Sequence, residues 1–223
     1  MRAPAYPPGM PRRIRTFHAR HGRLSSARIE AIERIVPEMT IHEIAEPVDL
    51  RLVFPERKVV IDFGCGMGHH TLALAAEGFA VLAIDVHTAG IARIASYAHE
   101  HNLSNVRVYL GDGQDVLDSL SDSSVDEVHV LFPDPWPKPR YHKRRLIHPE
   151  FLESVHRVLV AQGIMLIVTD DDSYASHIST VLKTKSDFAV NDAHKSTHVT
   201  RYHRRAESLG NTIHRFTLTA LKD

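Results

Sequence analysis

One cysteine, one tryptophan and no long apolar run are what this chain most conspicuously goes without. Cys65 has no second cysteine to pair with, so no intrachain disulfide can form, and a reduced, cytosolic compartment is expected. No apolar stretch approaches the roughly 20 residues of a membrane helix. The first residues hold no apolar core of a secretory signal, so none is expected. There is no internal repeat and no low-complexity tract. Histidine is abundant, with 17 residues, but no His-x-x-x-His with an acid stands at zinc spacing and Cys65 has no partner. Surface and loop positions are therefore expected for the histidines, and no metal is expected.

Acid is missing from three particular segments. Residues 1–29 carry seven Arg, residues 138–145 five Lys or Arg, and residues 194–205 four, with no Asp or Glu in any of them. Together they hold 16 of the 27 basic residues, although the net charge is zero. Segregation of this kind is the electrostatic footprint of a polyanion partner on an otherwise acidic protein. The competing reading is three solvated loops that never meet.

What is present is a βα alternation. Residues 1–11, with five Pro or Gly, read as disordered. Ser25 or Ser26 is placed to cap a helix running to about Val36, before Pro37. Strands are expected at 59–63, 80–84, 106–110, 125–131, 164–169, 188–191 and 212–221. Helices are expected at about 71–77, 90–101, 114–120, 149–159 and 173–183, the fourth opening on Pro149 and the fifth strand following Gly163. The pattern predicts an α/β fold with a mostly parallel sheet and helices on both faces. Residues 1–24 form a basic, partly disordered extension and residues 25–223 the domain.

The first strand runs Val59-Val-Ile-Asp62-Phe and is followed by Gly64-Cys-Gly66-Met-Gly68. Glycines at the carboxyl end of such a strand let a ligand approach the backbone. A dinucleotide site would want its third glycine at position 69, which is His, and no lysine follows as a P-loop requires. An acid just before the first glycine repels a pyrophosphate but suits a ligand bearing an ammonium and a sulfonium, such as S-adenosylmethionine. Asp85 ends the second strand, where it can accept from ribose hydroxyls. Asp112 follows the third, where adenine would lie. Any one of these acids reads equally well as a helix cap; three at consecutive strand ends favour the cofactor.

The fourth strand ends in Leu131-Phe-Pro-Asp134-Pro-Trp136-Pro-Lys138. Pro133 and Pro135 fix the backbone around Asp134. Trp136 reads either as a stacking face for a base or as a packing anchor. Lys138, Arg140, Lys143, Arg144 and Arg145 are placed to hold phosphates, which position a nucleic acid without reading its sequence. Asp170, ending the fifth strand, is either a second carboxylate for a base or a helix cap.

The chain resembles the bacterial tRNA (guanine-N7)-methyltransferases from about Ile14 to its end. The likeness rests on Arg15-Thr-Phe-His-Ala-Arg-His-Gly-Arg-Leu24, the glycine motif, Asn105 to Asp112, the PDPW run with its Lys143-Arg-Arg145 tail, and Thr169-Asp170. The resemblance implies a Rossmann-like class I methyltransferase fold with a seven-stranded sheet. It implies donor contacts by Asp62, Gly64, Gly66, Gly68, Asp85, Asp112 and Asp134, with Asp134 also catalytic. It implies substrate contacts by Lys138, Asp170, Thr200, Arg201, Tyr202 and His203. The cofactor would be S-adenosyl-L-methionine and the partner tRNA, with the protein a monomer or homodimer. The chain departs from the family where His203 replaces a glutamate expected to contact the guanine, Ala206 a glycine, and Asp171 a tryptophan. A methyltransferase acting on another RNA site or on a small molecule is the alternative, and a non-catalytic RNA-binding protein a third class.

Overall fold

Five mostly apolar runs lie side by side as parallel strands in a computed structural model that describes residues 14–17, 24–41, 47–191 and 198–222. They are β1 (Val59–Phe63), β2 (Ala80–Asp85), β3 (Val106–Leu110), β4 (Val125–Leu131) and β5 (Leu159–Thr169). β6 (Phe188–Asn191) and β7 (His214–Ala220) complete a seven-stranded sheet in the order β3-β2-β1-β4-β5-β7-β6. β7 runs antiparallel to both of its neighbours, β5 and β6. The expected mostly parallel sheet is therefore what forms.

Both faces are covered, and β1 shows why its five residues are all buried. Val60 joins a cluster with Leu74, Ile91, Ile94 and Ala98 from α4 (His69–Ala76) and α5 (Thr88–Glu100). Val59 and Ile61 face the other way. They meet Leu117, Phe151, Leu152 and Ile178 from α6 (Gly113–Ser119), α7 (Pro149–Val158) and α8 (Asp172–Leu182). Each buried aliphatic side chain contributes about 1.5–3 kcal/mol. An alternating pattern would leave one face wet, and the apolar run excludes that.

Four features depart from expectation. The first helical run does not stop before Pro37: α1 (Ser26–Glu30) passes through a π turn at Ala31–Ile35 into α2 (Val36–Met39), which holds Pro37 in its first turn. Proline inside a continuous helical run removes one N–H donor and crowds the preceding turn, and the wider π turn stands directly before it. A short α3 (Leu50–Val53), capped by Asp49, precedes β1. Gly163 lies inside β5 rather than before it: the strand starts at Leu159, and its register against β4 slips between Val125 and Glu127. Near the end, α9 (Arg201–Ser208) stands where no helix was expected. The proline-rich start, Arg20, Arg23 and Lys195 lie outside the described residues.

Candidate active site at the carboxyl ends of the strands

The sheet order brings five strand ends together. β1 and β4 are neighbours, with β2 and β3 to one side and β5 to the other. The glycine loop after β1 therefore lies between Asp85 and Asp112 on one flank and Asp134 and Asp170 on the other.

Gly64, Gly66 and Gly68 all have positive φ (79°, 55° and 76°), which side chains other than glycine adopt only with strain. The loop is pinned from below. Gly64 and Cys65 donate to the Ile84 carbonyl, and Asp85 Oδ2 accepts from Gly66 N at 2.7 Å while its Oδ1 accepts from His87 N. From α5, the Arg93 guanidinium donates to the Met67 carbonyl. Gly90 is required there: a Cβ would lie 1.8 Å from the Gly66 carbonyl oxygen. Gly64 itself is exposed, and nothing stands within 4 Å of where its Cβ would be. Backbone open to a ligand, with carboxylates nearby, fits a cationic nucleoside better than an anionic one.

The acids differ in character. Asp62 is only 2 % exposed and accepts from Thr71 Oγ1 at 2.6 Å. Burial pushes its carboxyl up to about 6, against the opposing pull of Thr71 and His129. Asp112 caps α6, accepting from Gln114 N, so the helix-cap reading holds for it. Asp170 is not the cap of α8. Asp171 is, accepting from Tyr174 N at 2.7 Å, while Asp170 Oδ2 accepts from Asn211 Nδ2 at 3.0 Å.

Asp134 is exposed and sits between two residues with left-handed backbone, Phe132 (φ 53°) and Trp136 (φ 48°). Such conformations cost on the order of 1–2 kcal/mol each and persist only where packing imposes them. The packing is visible. The Phe132 ring meets His203 edge-on at 4.7 Å and lies over Tyr202 at 6.0 Å. Trp136 is buried and donates from Nε1 to the Thr16 carbonyl at 3.0 Å, so of its two readings the packing anchor is the one formed.

The basic tail divides. Residues Pro139–Arg144 wind into a 3-10 turn that leaves Lys138, Arg140 and Lys143 exposed. The Arg144 guanidinium lies 4.8 Å from the Trp136 ring centroid and 5.6 Å from that of Tyr141. Arg145 departs from its expected phosphate role. It is 3 % exposed, donates to the Pro135 carbonyl and to Ser173, and lies over the Tyr174 ring. A guanidinium spent on internal acceptors is not presented to a phosphate.

His203 is corrected in the same way. It is 3 % exposed at the third position of α9, where Thr200 Oγ1 accepts from its N–H and its Nδ1 accepts from Thr200 N. This is a capping box, the reciprocal pair usually made by Ser or Thr with Glu or Gln. The histidine thus replaces a glutamate without losing the helix start, but its ring faces Thr200 and Phe132 rather than an incoming base. Thr200 is buried with it, whereas Arg201 and Tyr202 are exposed, and Tyr202 Cε2 would lie 4.0 Å from a Cβ on Gly66. The missing glutamate at position 203 hid this helix from the sequence, because Thr-x-x-His is not a familiar start signal. Thr71, Gly90, Phe132 and Asn211 also shape the site; of these only Gly90, a lone glycine in a first helical turn, carries a signal in the sequence.

A cleft of about 460 Å³ lined by Pro55, Arg57, Lys58, Glu77 and Phe79 lies at the opposite, amino-terminal ends of β1 and β2. Ligands of open parallel sheets bind at the other end. Among the described residues no three His, Cys, Asp or Glu side chains are arranged to hold a metal, and no helix is long and apolar enough to cross a membrane.

Residues 56–216 match the model of the methyltransferase family Methyltransf_4. The chain is 36% identical over 211 residues to the tRNA (guanine-N(7)-)-methyltransferase of Nitrosomonas europaea, covering 90% of this chain and 93% of that one. It is 39% identical over 181 residues to the enzyme of the same name from Streptomyces avermitilis, covering 79% and 62%. Among solved structures it is similar to the 16S rRNA methyltransferase KamB, with a TM-score of 0.57 and 17% identity over 82% of this chain and 99% of that one. The aminoglycoside resistance methyltransferase NpmB1 aligns with a TM-score of 0.55 at 17% identity over 79% and 95%. These structures share the class I methyltransferase fold. With 36% identity running nearly end to end, the chain belongs to the bacterial tRNA (guanine-N7)-methyltransferase family.

Proposed function

We infer that the protein methylates N7 of a guanine in the tRNA variable loop, using S-adenosyl-L-methionine. The observation that carries this reading is the convergence of five strand ends. It places an exposed, rigidly held Asp134 beside a glycine loop whose backbone is open and whose flanks are acidic.

The bound donor supplies a methyl group on a positively charged sulfur. Gly64 and Gly66 present backbone to it, Gly68, at the start of α4, closes the turn against Ile94, and Asp62, Asp85 and Asp112 present carboxylates to its cationic and hydroxyl groups. Each oxygen of Asp85 already accepts one backbone N–H and keeps acceptor capacity for ribose hydroxyls. Guanine N7 has a lone pair at neutral pH, so no residue has to remove a proton first. A positive charge develops on the purine as N7 is methylated. Asp134 stabilises that charge and aims the base by accepting from its N1–H and amino group. Asp170, its Oδ2 tied to Asn211, offers a second carboxylate at the next strand end.

Lys138, Arg140, Lys143 and Arg144 form the face that holds the RNA backbone, with Arg201 and Tyr202 at the start of α9 on the far side of the loop. Residues 25–223 form the catalytic domain, with residues 1–24 a basic extension tethered where Thr16 meets Trp136. Acting on tRNA places the protein in the cytoplasm.

Incubation with methyl-labelled donor and bulk tRNA, followed by nucleoside analysis, tests the reading. Label is expected in 7-methylguanosine. Label in another nucleoside, or only in small molecules, would overturn it.

A further inference from the structure

Beneath the glycine loop lies a chain of buried titratable groups for which the reaction as described has no use. His129 and Asp62 are direct partners in the pairing of β4 with β1, so their side chains emerge on the same face of the sheet. His129 Nε2 is 2.8 Å from Glu127 Oε2, and His129 Nδ1 is 2.8 Å from His70 Nε2. The Glu127 side chain is 14% exposed, His129 is 3% and His70 4%. His70 and Thr71 are adjacent in the first turn of α4. One reaches β4 through His129, and the other reaches β1 through Asp62.

Hydrogen bonding orders the protons. A carboxylate accepts only, so His129 Nε2 carries a proton toward Glu127. Burial, followed by the charges of His129, His198 and His203, holds the His70 imidazole far below its usual range, so His70 is neutral. A neutral His70 can accept from, or donate to, His129 Nδ1. Among the described residues, β2 contributes Asp85 and the loop contributes the Cys65 thiol to this pocket. His198 stacks obliquely on His70 at 5.3 Å and stands 3.3 Å from Glu77, within ion-pair reach but outside hydrogen-bond geometry.

We propose that His129, oriented by Glu127 and His70, is a positioning residue for the methyl donor: it lies beside Asp62 in the sheet and keeps that buried carboxylate charged for the donor's ammonium group. The proposal rests on the donor-binding reading above. Thr71 supplies one stabilising contact to Asp62, but a hydroxyl alone does not balance removal of a carboxylate from water. His129, on the same face of the sheet, adds a second pull toward the charged form, smaller than that of Thr71. No step of methyl transfer passes through these residues; their effect is on the charge state of Asp62.

The test is calorimetric titration of the full chain with S-adenosylhomocysteine, which keeps the ammonium and lacks the sulfonium, from about pH 5 to about pH 8.5. For the wild type, affinity is expected to fall as pH drops through about 6, where Asp62 takes up its proton. In His129→Gln and in Glu127→Gln the midpoint of that fall is expected to move up by about 0.5–1 pH unit, with affinity at high pH within about threefold of wild type. Glu127→Gln is isosteric and decides the matter if His129→Gln does not fold, as a thermal melt will show. Asp62→Asn is expected to abolish the pH dependence. Unmoved midpoints in folded variants, or a pH dependence that survives in Asp62→Asn, would overturn the proposal. Failure of the wild type to bind at any pH would instead overturn the donor reading itself.

Discussion

Arg145 and Ser173 are joined by two hydrogen bonds across 28 residues of chain, Nη2 to the hydroxyl at 3.0 Å and Nη1 to the carbonyl at 3.3 Å. A third bond runs from Arg145 Nε to the Pro135 carbonyl, one residue beyond Asp134. The guanidinium thus anchors the loop that presents Asp134 to the start of α8. Its neighbour Arg144 points outward over Trp136 and Tyr141. Adjacent arginines in one basic run have separate tasks.

Arg145→Ala is accordingly expected to lower stability by about 2–3 kcal/mol, because buried carbonyls lose their donors and a cavity opens. Chemical denaturation measures this. A loss below about 0.5 kcal/mol would mean that the buried contacts carry no weight.

Arg144→Ala is expected to leave stability within about 0.5 kcal/mol of wild type and to weaken tRNA binding instead. The slope of log affinity against log salt should fall by roughly 1, and by about 2–3 when Lys138, Arg140 and Arg144 are all changed. An unaltered slope would place this face away from the RNA.

Asp134→Ala is expected to reduce methyl transfer to tRNA by at least about 100-fold while donor binding remains measurable by titration. Unchanged single-turnover rates would remove Asp134 from the chemistry.

Asn211→Asp sets a second carboxylate against Asp170, where the wild type has a 3.0 Å hydrogen bond. Repulsion should turn Asp170 away from its position. The KM for tRNA is expected to rise about 5- to 20-fold with donor affinity unchanged, and Asn211→Gln is expected to restore part of the loss. Equal KM values in the two variants would show that Asn211 does not orient Asp170.

Acid should destabilise the fold through His70. Its folded-state value lies far below the unfolded value of about 6.5, so below that pH the unfolded chain binds a proton that the folded chain does not. Stability present above about pH 6.5 is therefore lost as pH falls, at up to about 1.4 kcal/mol per unit. His203 is depressed by burial and adds a change of the same sign. Asp62, raised to about 6, acts oppositely between about pH 4 and 6 and offsets part of the loss. His70→Gln is expected to flatten the fall in unfolding free energy between about pH 6.5 and 5, as urea titrations would measure.

The sheet was legible from the sequence because local chemistry dictates it. Val59–Phe63, Val106–Leu110, Val125–Leu131 and Phe188–Asn191 have the same limits by apolar run as by backbone hydrogen bonding. The glycine loop and the PDPW run were also legible, since backbone freedom and backbone rigidity are written in residue type. What a residue does with its side chain was not. Arg145 and Arg144 are indistinguishable in one dimension, and only the arrival of α8 behind the loop turns one inward. His203 looked like a substrate contact until α9 formed and its ring was used to close the first turn. Asp170 read either as a site acid or as a helix cap, and Asp171 takes the cap instead, because which carboxylate faces the helix depends on where β5 ends. Composition and spacing determined which groups the strand ends would present. Burial and long-range hydrogen bonds, which depend on distances between residues far apart in the chain, decided which of them remain open to a ligand.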